Sequence, residues 1–238
     1  MTLAEWQKVW DQLAKDDPLW IVLTDPAKKG GRWEPSEFFA TGEREIQEHV
    51  IDYLKARGLQ LPGRVCLDFG CAVGRLSQAL ACHFPEVHGV DISPVMLEHA
   101  RGFNRFGEKV QYHLNTTQHL ADFKDSSVDF VYSNIVLQHI EPKHAMGFIA
   151  EFMRVLRPGG LGIFQVIEPT FIRRMVPQLL VELYRKLKQR GRPFFGMYGL
   201  SQRGIEDLVR NRGGEVLEVQ STPYTRRWVS CRFCVRKN

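Results

Sequence analysis

Two hydrophobic rhythms divide the chain. From Arg64 to Val166, short and nearly continuous apolar runs alternate with segments whose apolar residues recur every three or four positions. The runs at 64–68, 87–90, 110–114, 128–133 and 161–166 read as strands covered on both faces. Helices are expected at 74–83 and 143–156, the latter with Phe148, Ile149, Phe152 and Val155 on its buried side. A further helix opens after Ser93 as cap, with Pro94 at its first position. Arg157-Pro-Gly-Gly160 reads as a sharp turn. Strands alternating with helices imply a parallel sheet with right-handed crossovers.

The flanks follow other patterns. Thr2 and Glu5 form a capping box for a helix whose face carries Leu3, Trp6, Val9 (or Trp10) and Leu13. Asp16, Asp17 and Pro18 end it, and the stretch to Pro35 reads as irregular, with Trp33, Phe38 and Phe39 as apolar anchors nearby. A second helix is expected from about Thr41 to Arg57, with Ile46, Val50, Tyr53 and Leu54 inward and Gly58 as its stop. Beyond Val166 a helical stripe runs through Ile172, Met175, Leu179, Leu183 and Leu187, followed by a loop at 191–199. Ser201 caps a short helix, Gly213-Gly214 ends it, and a hairpin of strands 215–220 and 228–235 closes the chain.

The chemistry concentrates at Val65–Leu76, a buried strand that breaks at Gly70 and reopens as a helix near Arg75. Gly70 and Gly74 permit a close backbone approach to a ligand, and the first helical amides face it. A dinucleotide fingerprint requires G-x-G-x-x-G, which fails here at its second and third glycines. Instead the pattern is D-x-G-x-A-x-G, with Asp68, Gly70, Ala72 and Gly74. Asp68 at a strand end needs a cationic or hydrogen-bonding partner. Asp91, 21 positions after Gly70, has the spacing of an acid that accepts from both ribose hydroxyls of an adenosine.

These motifs resemble those of the class I S-adenosylmethionine (SAM)-dependent methyltransferases, in the subgroup with D-x-G-C-G-x-G-R in the first loop. The similarity runs from about Val65 to Val166. It implies an α/β fold: a doubly wound, seven-stranded, mostly parallel Rossmann-like sheet with a C-terminal antiparallel hairpin. It also implies helical elements before the sheet and after strand five: an N-terminal lid over 1–60, a core over 61–238 and a cap at about 167–200. SAM is the implied cofactor. Its contacts carry over to Asp68, Gly70, Cys71, Ala72, Gly74 and Arg75, then Asp91, with Ile92 and Met96 on the adenine. Thr116 and Thr117 fall where relatives place an acid and a small residue against the adenine. Ser133 and Asn134 open SNIVLQHI, beside the transferring methyl group, and His139 within it is the candidate general base. Arg75, Gln138 and Glu168 are secondary candidates for the methionine carboxylate or the substrate. The Asn/Asp-Pro-Pro-Tyr motif of the amino-methylating enzymes for nucleobases and glutamine is missing, which points away from nucleic-acid and protein-amide acceptors. Ala72 departs from the family's central glycine and fits if its φ stays negative.

Composition bounds the rest. A chain of 238 residues, 44% hydrophobic and 25% charged, fits one globular domain with an elaboration. No apolar run reaches membrane-spanning length, and the N-terminus lacks a signal-peptide pattern. Five cysteines without framework spacing fit a reducing cytoplasm, and neither Cys231-x-x-Cys234 nor the histidines suggest a metal. Of 32 Lys and Arg and 27 Asp and Glu, residues 171–238 hold 15 and 5, leaving 17 and 22 for residues 1–170. The basic stretch 171–192 admits an anionic partner or peripheral membrane contact. The leading reading is a methyltransferase acting on an O or N atom of a small-molecule acceptor. The alternatives are an anionic, lipid-linked or macromolecular acceptor, and a SAM-binding module without turnover.

Overall fold

The structure, a computed structural model, describes residues 2–170 and 196–238. The stripe at 172–187 and the basic stretch 171–192 lie outside the described residues. Helix α1 (Leu3–Asp16) starts at the expected capping box, with Thr2 and Glu5 bonded reciprocally to each other's backbone amides. The stretch that follows is more regular than its composition suggests. Asp17 caps a short helix, α2 (Pro18–Val22), and Pro18 supplies the preset φ of a first turn. Helix α3 (Pro35–Ile46) likewise begins at a proline, before the expected Thr41. It continues through a π-helical stretch, Gln47–Asp52, into α4 (Tyr53–Lys55).

The core alternates as expected: β1 (Val65–Phe69), α5 (Arg75–Leu80), β2 (Glu86–Asp91), α6 (Pro94–Phe103), β3 (Val110–Leu114), β4 (Val128–Ser133) and α7 (Pro142–Val155). Strand β5 (Leu156–Pro169) absorbs the expected turn at 157–160, because Leu156 already pairs with Val128 before a register shift. Asp129 pins this corner by accepting the amides of Arg64 and Val65 at 2.9 and 2.8 Å and pairing with Arg157 at 3.0 Å. After α8 (Gln202–Asn211), the hairpin β6 (Gly214–Thr225) and β7 (Trp228–Lys237) extends beyond its expected ends. Bulges at Val216/Glu218 and Pro223/Thr225 let the outer strand carry Pro223 on the sheet edge.

The seven strands lie in the order β3-β2-β1-β4-β5-β7-β6, with β7 antiparallel to both neighbours. Alternation along the strands fills both faces. Leu67, Val131, Phe164 and Phe233 pack against α7 and α8, while Cys66, Phe130, Tyr132 and Ile163 pack against α3, α4 and α5. Cys231 and Cys234 fall in different clusters on opposite faces, so they share no site. The strand order reverses between β1 and β4, which opens a crevice at the carboxyl ends of β1, β2 and β4. Among the described residues no helix is long and apolar enough to cross a membrane.

Phe164 is fully buried and stacks on Phe233 with ring centroids 5.5 Å apart. Phe164→Ala is expected to cost about 3–5 kcal/mol, read as a lower denaturant midpoint at unchanged slope. A loss below about 1 kcal/mol contradicts this packing.

Candidate functional site

From Phe69 the chain turns over the end of β2. The amides of Gly70 and Cys71 donate to the Val90 carbonyl at 2.8 and 3.0 Å. Gly70 and Gly74 have φ of +77° and +82°, and a Cβ on either would overlap Val136 or Tyr112. These glycines therefore serve the turn and its packing against protein side chains. Ala72 is left-handed as well, at φ +47°, which corrects the expectation of a negative φ. That conformation costs a non-glycine residue roughly 1–2 kcal/mol. It is held by Asp91, whose Oδ2 accepts the Ala72 amide at 2.9 Å while Oδ1 accepts the Ser93 amide at 2.9 Å. Burial raises the Asp91 carboxyl above its ordinary range, and the Ser93 and Ala72 amides oppose that rise. Ser93 caps α6 at Met96 and donates its hydroxyl to Asp11 of α1 at 2.5 Å.

A cavity lies between this turn and the N-terminal helices. Gly70, Cys71, Ala72, Asp91, Ile92 and Met96 line it from the β1–β2 side. Helix α1 contributes Leu3, Trp6 and Trp10, and the segment after β4 contributes Asn134, Ile135, Val136 and His139. Arg75 also lines it, buried, with Nη2 paired to Glu45 at 2.7 Å and Nη1 on the Thr41 hydroxyl at 3.3 Å. Its Nε is buried with no partner among the described residues. Glu45 further accepts the Asn134 amide at 2.6 Å and the Tyr132 hydroxyl at 3.3 Å, so one carboxylate of α3 orients two wall residues.

Other expected residues fall elsewhere. Ser133 is buried and donates to the Phe69 carbonyl at 3.0 Å, tying β4 to β1 away from the cavity wall. Gly74 and Asp68 do not line the cavity either. The Asp68 carboxyl accepts the Ser77 hydroxyl at 2.6 Å, and burial raises it to about 7, against the pull of Ser77 and Arg75. Thr116 and Thr117 are exposed, with the Thr117 hydroxyl donating to the His119 carbonyl at 2.9 Å. Asn115 reaches the wall in their place because β3 ends one residue before it. His139 is buried, its Nδ1 donates to the Gly196 carbonyl at 3.1 Å, and Trp10 packs edge-on at 6.0 Å. Burial lowers its pKa and the Gly196 carbonyl partly restores it.

Residues 67–164 match the family model described as a methyltransferase domain. That segment, running from β1 into β5, is similar to methyltransferase domains. A ubiquinone biosynthesis O-methyltransferase of Aromatoleum aromaticum is 30% identical over 148 residues, 62% of each chain. A malonyl-acyl-carrier-protein O-methyltransferase of Xylella fastidiosa is 31% identical over 129 residues, covering 53% of this chain and 42% of that protein. The chain thus spans less than two thirds of the length of either relative. The crystal structure of magnesium protoporphyrin IX methyltransferase from Synechocystis PCC 6803 with bound SAH shares the fold, at TM-score 0.66 and 20% identity over 98% of both chains.

Two features of the site were illegible in sequence. Glu45 is an ordinary helical acid without a local motif, and only the approach of α3 to α5 gives it its partners. Ile135 has φ +60°, a rare state for a β-branched residue, and lines the cavity while 42% exposed.

Ala72→Gly relieves the left-handed Cβ and is expected to raise unfolding stability by up to about 1 kcal/mol. A lower urea midpoint contradicts the strain at this turn. Asp68 gives a pH dependence of defined sign. Its carboxyl rises from 3.8 to about 7 on folding, so the native state keeps a proton that the unfolded chain has released. Stability from this group therefore falls as the pH rises across that window. Asp68→Asn keeps an acceptor for Ser77 and is expected to flatten the dependence and to exceed the parent's stability at pH 8. Parallel pH profiles for the two proteins contradict the assignment.

Proposed function

We propose that the chain is a SAM-dependent methyltransferase that moves a methyl group to an O or N atom of a small-molecule acceptor in a reducing, cytoplasmic setting. The observation that carries this reading is Asp91 bonded to the Gly70–Ala72 turn on one wall of a cavity that α1 also lines. Its carboxylate has about four acceptor positions and spends two on Ala72 and Ser93, which leaves two for ribose hydroxyls. Ile92 and Met96 offer apolar faces to an adenine, and Asn115 an amide for its edge. The orphaned Nε of buried Arg75, with Asn134, suits the carboxylate of the methionine moiety. Asp68, buried behind the turn, bonded to Ser77 and raised to about 7, is a group whose ionised form a nearby ammonium would favour. SAM supplies an electrophilic methyl group on a sulfonium.

At the other wall, Trp6, Trp10, Ile135, Val136 and Ile140 exclude water and favour an apolar acceptor skeleton. His139, which burial favours in its neutral form, lies at this wall to position an acceptor hydroxyl or amine. In-line displacement at the methyl depends mainly on positioning, which the packed walls provide. The relatives, a ubiquinone biosynthesis O-methyltransferase and a malonyl-acyl-carrier-protein O-methyltransferase, favour oxygen as the accepting atom.

Calorimetric titration tests the cofactor. Saturable heat with SAM and none with NAD is expected. Asp91→Ala is expected to weaken SAM binding by about 1–3 kcal/mol by leaving ribose hydroxyls unpaired. Unchanged affinity in that variant, or no SAM binding by the parent, contradicts the reading.

A further inference from the structure

Behind the β4 wall runs a buried chain of side-chain amides. The Gln165 carbonyl oxygen Oε1 accepts the Ile135 amide at 3.2 Å, and Gln165 Nε2 lies 3.2 Å from Gln138 Oε1. Gln165 Nε2 also meets the Val166 carbonyl at 3.0 Å and the Ser230 hydroxyl at 3.1 Å. Gln138 Nε2 lies 3.2 Å from His139 Nε2, and His139 Nδ1 lies 3.1 Å from the Gly196 carbonyl. Both ends of the chain are backbone groups of fixed polarity. The Ile135 N–H can only donate, so the Gln165 oxygen faces it and the Gln165 nitrogen faces Gln138. That in turn sets the Gln138 oxygen toward Gln165 and its nitrogen toward His139. His139 Nε2 must then be an acceptor without a proton. The Gly196 carbonyl can only accept, so Nδ1 carries the hydrogen. Turning either amide places two donors, or two acceptors, face to face in a buried site.

Resting on the methyltransferase reading above, we propose that Gln138 and Gln165 are positioning residues that fix His139 as its neutral Nδ1–H tautomer beside the acceptor. A proton arriving at Nε2 would confront the Gln138 amide, so the relay opposes formation of imidazolium. The same Gln165 oxygen holds Ile135 in its left-handed state, coupling the wall's shape to the imidazole's tautomer. Among the described residues, His139 meets the Gln138 amide from its own turn, the Gly196 carbonyl and, edge-on from α1, Trp10. Among the described residues no charged side chain contributes to its shift.

The test is nitrogen NMR of the full chain labelled at histidine, recorded without SAM from pH 5 to 8. The parent is expected to show His139 with Nδ1 protonated and Nε2 bare at pH 7.5. Gln138→Glu places a carboxylate against Nε2 and is expected to raise the His139 midpoint by about one to three pH units. Gln165→Glu removes the donor that orients Gln138, lets the Gln138 oxygen turn toward Nε2 and is expected to raise the His139 midpoint, with Nδ1 still protonated against the Gly196 carbonyl. Backbone amide spectra report whether each variant folds. If Gln165→Glu does not, the parent tautomer and Gln138→Glu decide. An Nε2–H or imidazolium signal in the parent at pH 7.5 overturns the proposal, as does a midpoint unmoved in the folded variants. Because no cofactor is present, a failure here leaves SAM binding untouched, and a failure to bind SAM leaves the tautomer assignment standing.

Discussion

The double acceptance by Asp91 is the constraint on which the site depends. One carboxylate receives the Ala72 amide across the first turn and the Ser93 amide at the start of α6. It thereby joins the ends of β1 and β2 and holds a non-glycine residue in a left-handed conformation. Through Ser93 and Asp11 the same knot reaches α1, which also lines the cavity. In the proposed function, the group that holds the ribose is also the group that keeps the turn in shape. Strain at Ala72 persists because its surroundings over-determine it.

The cavity's walls are organised by groups outside it. Glu45 aims Arg75 and Asn134, and Gln165 aims Ile135 and, through Gln138, His139. In both cases a polar residue, half-buried Glu45 or buried Gln165, satisfies wall residues whose own sequence positions look unremarkable. A half-satisfied network would be worse than an apolar one, so these contacts specify a single wall geometry.

Much of the fold was legible because its signals are local and repetitive. The strand runs, the Thr2–Glu5 capping box and Ser93 with Pro94 needed no tertiary context. Helix α2, read as irregular chain, and the early start of α3 were signalled by Pro18 and Pro35, whose role as first-turn residues competes with their reading as loop punctuation. The turn and Asp91 were visible through spacing. Thr116, Thr117 and Ser133 do not line the cavity, because position after a strand does not say which side chain meets it. The φ of Ala72 was likewise invisible, since it is imposed by Asp91, a residue 19 positions away. Glu45 and Gln165 act over long sequence separations and carry no motif.

The central claim is that Asp91 and the Gly70–Ala72 turn together hold the nucleoside part of SAM. A crystal structure of the full chain soaked with S-adenosylhomocysteine measures it most directly. The account predicts ribose hydroxyls on the Asp91 carboxylate, with the purine between Ile92 and Met96. Density for the nucleoside elsewhere, with Asp91 still bonded only to Ala72 and Ser93, would contradict it.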